Sequence, residues 1–134
     1  KLGSTELKTS DAKTWACKNE KGDVQILSWD FTYTQSLTDT VNNQVFYKRD
    51  LPAKAKGKLM VDVKNLDAGK YAMEVFKTGY RVNDAYTTYL DIGSPAQLTR
   101  EQVEYIKRIN DGSPVESRVV TAEAGKPLNL QFDL

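Results

Sequence analysis

A strict alternation of apolar and polar side chains limits the folding of this 134-residue chain more than any other feature. Within 58–63 and 128–134, every second residue is aliphatic or aromatic, and the residues between them are mostly polar. Successive side chains of a strand point to opposite faces, so a period of two predicts strands with one buried face. Such strands are typical of antiparallel sheets, which cover one face and expose the other.

Other runs rich in β-branched and aromatic residues are separated by turn residues and predict further strands. These runs occupy 14–17, 24–33, 44–50, 71–77, 85–92 and 117–121. The strands at 117–121 and 128–134 are expected to pair with each other around Gly125 and Pro127.

The run 24–33 places several large apolar residues on one face, namely Leu27, Trp29, Phe31 and Tyr33. Because they share a period of two, we expect this face to belong to the core. Trp29 and Phe31 would then be unable to stack on sugar rings, whereas the position of Trp15 is left undecided.

A tyrosine corner is predicted before the strand at 71–77. Leu66, a tight turn at Gly69 and Tyr71 at the start of the strand form the pattern. In immunoglobulin-like and fibronectin-like sandwiches, the hydroxyl of this tyrosine bonds the backbone a few residues upstream.

One helix interrupts the strands. Thr99 is placed to cap its N-terminus, and Gln102 completes a capping box three residues later. An apolar stripe then follows at helical spacing, formed by Val103, Ile106 and Ile109. The stripe must be buried against something, because a helix of this kind is stabilised mainly by packing.

These elements predict a mainly β fold, an antiparallel two-sheet β-sandwich of immunoglobulin or fibronectin type with one helical insertion near 99–110. The length fits a single domain spanning 1–134. The chain opens with Lys1-Leu2-Gly3-Ser4 and has no signal-peptide pattern, so we expect it to derive from a longer polypeptide.

Charge and hydropathy exclude two classes of partner. The 19 basic and 18 acidic side chains give a net charge of +1, whereas nucleic acids and anionic membranes require a concentrated basic surface. No apolar run approaches the ~20 residues of a membrane span. We therefore expect neither a nucleic-acid nor a membrane partner, and the sequence leaves the cellular compartment open.

The chain offers little for catalysis. Histidine is absent, which removes Ser-His-Asp and Cys-His schemes and most zinc sites. Cys17 lies in a strand-like run and is expected to be a buried, inert thiol. No phosphate loop or calcium loop is present, so no cofactor and no metal is expected. The remaining candidates are carboxylates on or beside strands, Asp30, Asp50, Asp62, Glu74, Asp84 and Asp91.

Two carboxylates can act as a glycosidase pair only at a defined separation, which sequence alone does not give. Most of them alternate with inward apolar residues and are expected to face solvent or a partner domain. We therefore predict no catalytic residue in this chain.

Several segments resemble a known family. The segment 79–86 reads Gly-Tyr-Arg-Val-Asn-Asp-Ala-Tyr and is followed by 89–95 and the predicted helix. Together with 24–31 and 43–52, these segments resemble the C-terminal region of glycoside hydrolase family 39, whose members are largely β-xylosidases. The resemblance covers roughly 15–120.

The resemblance implies a retaining, β-xylosidase-like parent enzyme, with a catalytic (β/α)8 barrel followed by a β-sandwich. Both catalytic glutamates of the family lie in the barrel, and its acid/base glutamate belongs to an Asn-Glu-Pro motif. This chain has only Asn19-Glu20-Lys21, without the proline. No catalytic residue carries over, so the resemblance implies the accessory region alone.

Two functions follow as hypotheses. The favoured one is an accessory domain that packs on the barrel of the same polypeptide and supports its active-site face or subunit assembly, including assembly as a homo-oligomer. The alternative is an autonomous carbohydrate-binding module, for which we expect weak binding at most. Tyrosine and arginine are enriched at interfaces, so the candidate interdomain interface comprises Tyr80, Arg81, Asn83, Asp84, Tyr86 and Tyr89. A self-contained turn, with Asn83 and Asp84 bonding local backbone, is the competing interpretation.

Overall fold

The computed structural model describes residues 3–30, 50 and 52–133. The chain divides into two compact units, Lys1–Val41 and Asn42–Leu134. No helix in the described part of the chain is long and apolar enough to span a bilayer.

The first unit contains a three-stranded antiparallel sheet. Its strands are β1 (Thr5–Leu7), β2 (Thr14–Lys18) and β3 (Val24–Ser28), in the order β1-β2-β3. Ala16 and Cys17 on β2 are buried, so the prediction of a buried thiol is confirmed.

The second unit contains two two-stranded antiparallel sheets. Its strands are β4 (Lys58–Val63), β5 (Gly69–Val75), β6 (Glu116–Ala122) and β7 (Leu128–Asp133). β4 pairs with β7, and β5 pairs with β6. The mainly β, antiparallel class of fold is therefore confirmed, and the arrangement is compatible with the predicted sandwich.

The register of β4 and β7 explains their alternating sequences. The apolar positions face each other in three cross-strand pairs, Leu59 with Phe132, Val61 with Leu130 and Val63 with Leu128. All six side chains are half-buried, whereas the residues between them are exposed. Directly opposed residues lie on the same face, so the pairing gathers the apolar residues of both strands on one side.

The predicted pairing of β6 with β7 is wrong. β6 pairs with β5 from Gly69 opposite Ala122 to Val75 opposite Glu116, and β7 belongs to the other sheet. The connection at 123–127 therefore leads from one sheet to the other. Alternation specifies which face of a strand is buried but not which strand lies beside it, so the sequence pattern favoured the nearer neighbour.

The tyrosine corner is confirmed. The hydroxyl of Tyr71 donates a hydrogen bond of 2.9 Å to the carbonyl oxygen of Asp67, four residues upstream. Asn65, in the same turn, has a positive φ of 60°, which asparagine tolerates better than most residues. The bond fixes the start of β5 against the turn that delivers it.

The predicted helix is confirmed as α2 (Arg100–Ile109), with both halves of its capping box present. The Thr99 hydroxyl accepts from the amide of Gln102, and the Gln102 side chain accepts from the amide of Thr99. Ile109, at the end of the stripe, is 46% exposed. Within this unit, the stripe is thus only partly covered.

The strand predicted at 85–92 is wrong, because Ala85–Asp91 forms a second helix, α1. Its tyrosines and threonines favour strands when they are considered alone. Asp84 overrides that preference as the N-cap: its side chain accepts from the amide of Tyr86 at 3.0 Å. The fold therefore has two helices in its described part, where the sequence predicted one.

The predicted core position of Leu27 and Trp29 is also wrong in part. Leu27 is 48% and Trp29 45% exposed. Leu27 lies near the end of β3 opposite Trp15 on β2, and Trp29 follows directly after β3. Phe31 and Tyr33, and all of the predicted strand at 44–50 except Asp50, lie outside the described residues.

Candidate docking surface

The candidate interface begins at a tight turn between β5 and α1. Gly79 and Val82 exchange two backbone hydrogen bonds of 3.0 and 2.9 Å, which leaves Tyr80 and Arg81 at the tip. Arg81 has a φ of 60°, a left-handed conformation that side chains other than glycine seldom adopt. Surrounding contacts must therefore hold this turn in place.

Arg81 supplies those contacts. Its guanidinium donates to both carboxylate oxygens of Asp91, at 2.9 and 3.1 Å, in a bidentate pair with the C-terminal end of α1. Its Nε donates to the hydroxyl of Tyr80 at 3.1 Å, and that hydroxyl donates to Asp50 at 3.1 Å. The guanidinium also lies 5.4 Å from the centre of the Tyr80 ring, within the range of a cation–π contact.

The electrostatics of this turn favour a permanent charge. The hydrogen bonds to Tyr80 and to Asp91 raise the pKa of the Arg81 guanidinium above its already high ordinary value. Arg81 and Asp91 are each about half exposed, so their ion pair contributes little to the free energy of unfolding. Its main effect is to fix the orientation of the turn relative to α1.

Asn83 joins two segments that are distant in sequence. Its amide nitrogen donates to the carbonyl oxygen of Lys77 at 3.0 Å, and its oxygen accepts from the amide of Gly112 at 3.2 Å. Beside it, the Ser113 hydroxyl and amide lower the pKa of Asp111. Asn83 therefore links the turn to the residues that follow α2.

Asp84 precedes α1 and stabilises its first turn. Besides the cap, its carbonyl oxygen accepts from the hydroxyls of Thr87 and Thr88, both at 3.2 Å. Both threonines are buried, and Thr88 also accepts from Asn110 at the end of α2, at 3.0 Å. Asp84 thus bonds backbone and side chains within its own segment, whereas Asn83 also bonds the amide of Gly112, 29 residues away.

Tyr86 and Tyr89 line a shallow apolar groove of about 390 Å³ between the two helices. Its other lining residues are Ala85, Leu98 and Ile106. The hydroxyl of Tyr89 donates to the carbonyl oxygen of Pro95 at 3.1 Å, which fixes the ring on one side of the groove. The structure therefore separates the six predicted residues into a charged turn, a linking pair and a groove wall.

Sequence reasoning missed several residues of this surface. Asp50 and Asp91 were considered only as isolated carboxylates, although both contact Arg81. Leu98 and Ile106 were assigned to the cap and the stripe of α2, and no signal indicated that α1 would pack opposite them. With 85–92 recognised as a helix, spacing of three and four residues would have placed Ala85, Tyr86 and Tyr89 on one face.

The described residues include no cluster of acidic, histidine or cysteine side chains that could hold a metal ion. The acidic pair at the turn, Asp50 and Asp91, is bridged by a guanidinium. A glycosidase instead requires one protonated carboxyl and one free carboxylate facing each other across a sugar.

Among the solved structures that are similar to this chain are those of two glycoside hydrolases. The crystal structure of a glycoside hydrolase family 39 enzyme from Xanthomonas axonopodis pv. citri matches 96% of the chain with a TM-score of 0.81 and 29% sequence identity. That of a monomeric β-xylosidase from Caulobacter crescentus CB15 also matches 96%, with a TM-score of 0.77 and 29% identity. The predicted resemblance to glycoside hydrolase family 39 is thereby confirmed.

This chain spans only 25% of the length of each of these two enzymes. No protein-family model and no curated protein sequence matches the chain.

Proposed function

We propose that this chain is a non-catalytic accessory domain of a β-xylosidase-type glycoside hydrolase, which packs on and supports the catalytic (β/α)8 barrel or its assembly. One observation carries the proposal: nearly the whole chain is similar to a quarter of two glycoside hydrolases. A piece of that proportion corresponds to one domain of a larger enzyme.

The described side chains support a role without catalysis. Asp84 caps α1, Asp91 and Asp50 bind Arg81, and Asp62 accepts from Asn129. Each of these carboxylates thus has a structural partner, and the apolar groove between the helices has no carboxylate among its lining residues that could be held protonated there.

The two helices offer the surface for packing on the barrel. Their groove is apolar, and the stripe of α2 continues beyond it to the half-exposed Ile109. Exposed apolar area of this kind is stabilised when another surface covers it, at about 25 cal/mol for each Å² removed from water. Arg81 contributes by fixing the adjacent turn in one conformation.

A matched pair of substitutions tests this role. Ile109→Asp changes a 46% exposed residue on the proposed surface, and Val119→Asp changes a 66% exposed residue on the outer face of β6. In the separate chain, both should change the melting temperature little. In the full-length hydrolase, Ile109→Asp should lower it by at least about 2 °C more than Val119→Asp, because only Ile109 would place a charge in the domain interface.

Differential scanning calorimetry of both variants in both contexts gives the comparison. Equal losses for Ile109→Asp in the separate chain and in the full-length enzyme would show that Ile109 serves only the domain itself. The α2 surface would then not dock on the barrel.

An autonomous carbohydrate-binding module is the second candidate function, and one observation favours it. Trp15 and Trp29, which are the only tryptophans of the chain, are 47% and 45% exposed on the sheet of the first unit. Sugar-binding faces of sandwich domains use exposed aromatic rings of this type.

A further inference from the structure

One face of the first sheet carries both tryptophans, beside the buried Cys17. Trp15 on β2 lies directly opposite Leu27 on β3, and opposed residues share a face. The amide of Trp29 donates to the carbonyl oxygen of Lys13 at 3.0 Å, which continues the ladder by one more pair. Trp29 therefore lies on the same face as Leu27 and diagonal to Trp15, and diagonal cross-strand neighbours are roughly 7–8 Å apart.

One of the rings is fixed in place. The indole nitrogen of Trp15 donates a hydrogen bond of 3.0 Å to the carboxylate of Glu6 on β1. Glu6 pairs with Cys17 in the register of the sheet, so it too belongs to this face. A ring that is already held loses little conformational entropy when a ligand stacks on it.

Polar groups border the apolar centre at both ends. Glu6 lies beside Trp15, and the ion pair between Lys13 and Asp30, with a distance of 2.8 Å, lies beside Trp29. An apolar floor with a few polar groups at its edge is typical of small-ligand sites. It also matches a pyranose ring, which presents C–H groups on its faces and hydroxyl groups at its edge.

The size of the face favours a small ligand over a protein partner. Trp15, Leu27 and Trp29 are each 45–48% exposed, so together they offer roughly 300 Å² of apolar area. A stable protein interface needs about 800 Å² from each partner. The smaller area is of the size that a short oligosaccharide covers.

We propose that this face, formed by Trp15, Leu27 and Trp29, binds short uncharged oligosaccharides of β-linked pyranoses such as xylo-oligosaccharides. The proposal rests on the second candidate function and assigns it to named residues. The rings of Trp15 and Trp29 stack on successive sugar faces, and Glu6 and the Lys13–Asp30 pair accept or donate hydrogen bonds to the hydroxyl groups.

Titration of the 134-residue chain with xylotetraose tests the proposal. Both tryptophans of the chain lie on this face, so their fluorescence reports on it without background from elsewhere. We expect a saturable change in emission with a dissociation constant tighter than about 1 mM. Isothermal titration calorimetry on the same sample should give the same constant.

Variants assign the binding to the face. Trp15→Ala and Trp29→Ala should each weaken binding at least tenfold, while the remaining tryptophan still reports on the site. Trp29→Tyr keeps an aromatic ring and should retain most of the affinity. Phe76→Ala, which removes an exposed ring from the second unit, should leave the dissociation constant unchanged. Circular dichroism of each variant shows whether the sheet is intact.

The proposal is overturned if emission does not saturate up to about 10 mM xylotetraose, or if both alanine variants bind as tightly as the native chain. Neither outcome affects the packing role, which depends on α2 and is measured by the melting temperature of the full-length enzyme. If the chain binds sugar but Ile109→Asp does not lower the melting temperature of the full-length enzyme further than that of the separate chain, the sugar-binding proposal stands and the packing role is contradicted.

Discussion

Single hydrogen bonds fix the places where this chain changes direction. Tyr71 holds the turn before β5, Asn83 links the turn before α1 to the residues after α2, and Asp84 starts α1. Each bond joins a side chain to a backbone group that no regular ladder or helix satisfies. Such groups must find a partner when they leave water, so these residues have a stronger effect on local structure than their exposure indicates.

Tyr71→Phe should lower the free energy of unfolding of the separate chain by about 1 kcal/mol, because it removes one hydrogen bond and leaves the ring in place. The control is Tyr105→Phe, which deletes a hydroxyl from an exposed ring on α2 and should cost less than about 0.5 kcal/mol. Urea unfolding of the three proteins measures the difference. Equal stability of Tyr71→Phe and the native chain would show that the tyrosine corner contributes nothing.

At the scale of elements, α1 is a helix that its own sequence does not favour. It has only seven residues, and its central Tyr86-Thr87-Thr88-Tyr89 run favours a strand in isolation. Its helical state is supported by the N-cap and by the hydrogen bond from Asn110, the C-cap residue of α2, to Thr88. α1 therefore depends on two side chains that lie outside it.

Asp84→Ala should lower the free energy of unfolding by about 1 kcal/mol through loss of this cap. Asp84→Asn should retain most of the stability, because the amide oxygen can accept the same bond from Tyr86. Thermal unfolding followed by circular dichroism compares the two variants. A loss of the same size in both would assign the effect to the charge of Asp84 rather than to the cap.

These elements also show what the sequence could predict. α2 and β4 were predictable because their signals are local: the Thr99–Gln102 capping box in one case and the alternation of 58–63 in the other. α1 was missed because residue preferences do not reveal the contacts that support it, which are the Asp84 cap and the hydrogen bond from Asn110 to Thr88. The pairing of β7 with β4 was missed because alternation carries no information about partners.

For the candidate interface, the sequence indicated residues but not their contacts. The composition of 80–89 indicated a special segment, and in the structure the side chains of Tyr80, Arg81 and Asn83 form hydrogen bonds in the turn between β5 and α1. Their partners Asp50 and Asp91 could not be identified, since one is 31 residues upstream and the other depends on the helical state of α1. The exposure of Trp29 could not be predicted either, because the alternation shows which residues share a face but not whether anything covers that face.

At the scale of the whole molecule, the chain has two surfaces suited to different roles. The helices of the second unit present an apolar groove and an incompletely covered stripe, which we assign to packing on a catalytic barrel. The sheet of the first unit presents two tryptophans with a polar border, which we assign to sugar. Neither surface requires a catalytic residue, and both fit the proposed accessory role of a chain that matches a quarter of the length of two glycoside hydrolases.

Hydrogen–deuterium exchange of the α2 amides tests the central claim, that this is an accessory domain packed on a larger enzyme through its helices. The amides of Arg100–Ile109 should exchange more slowly in the full-length hydrolase than in the separate chain, because covering the stripe suppresses local opening. The amides of β4 and β7, which pair within the unit, serve as the internal reference and should change less. Equal exchange of α2 in both contexts would contradict the account.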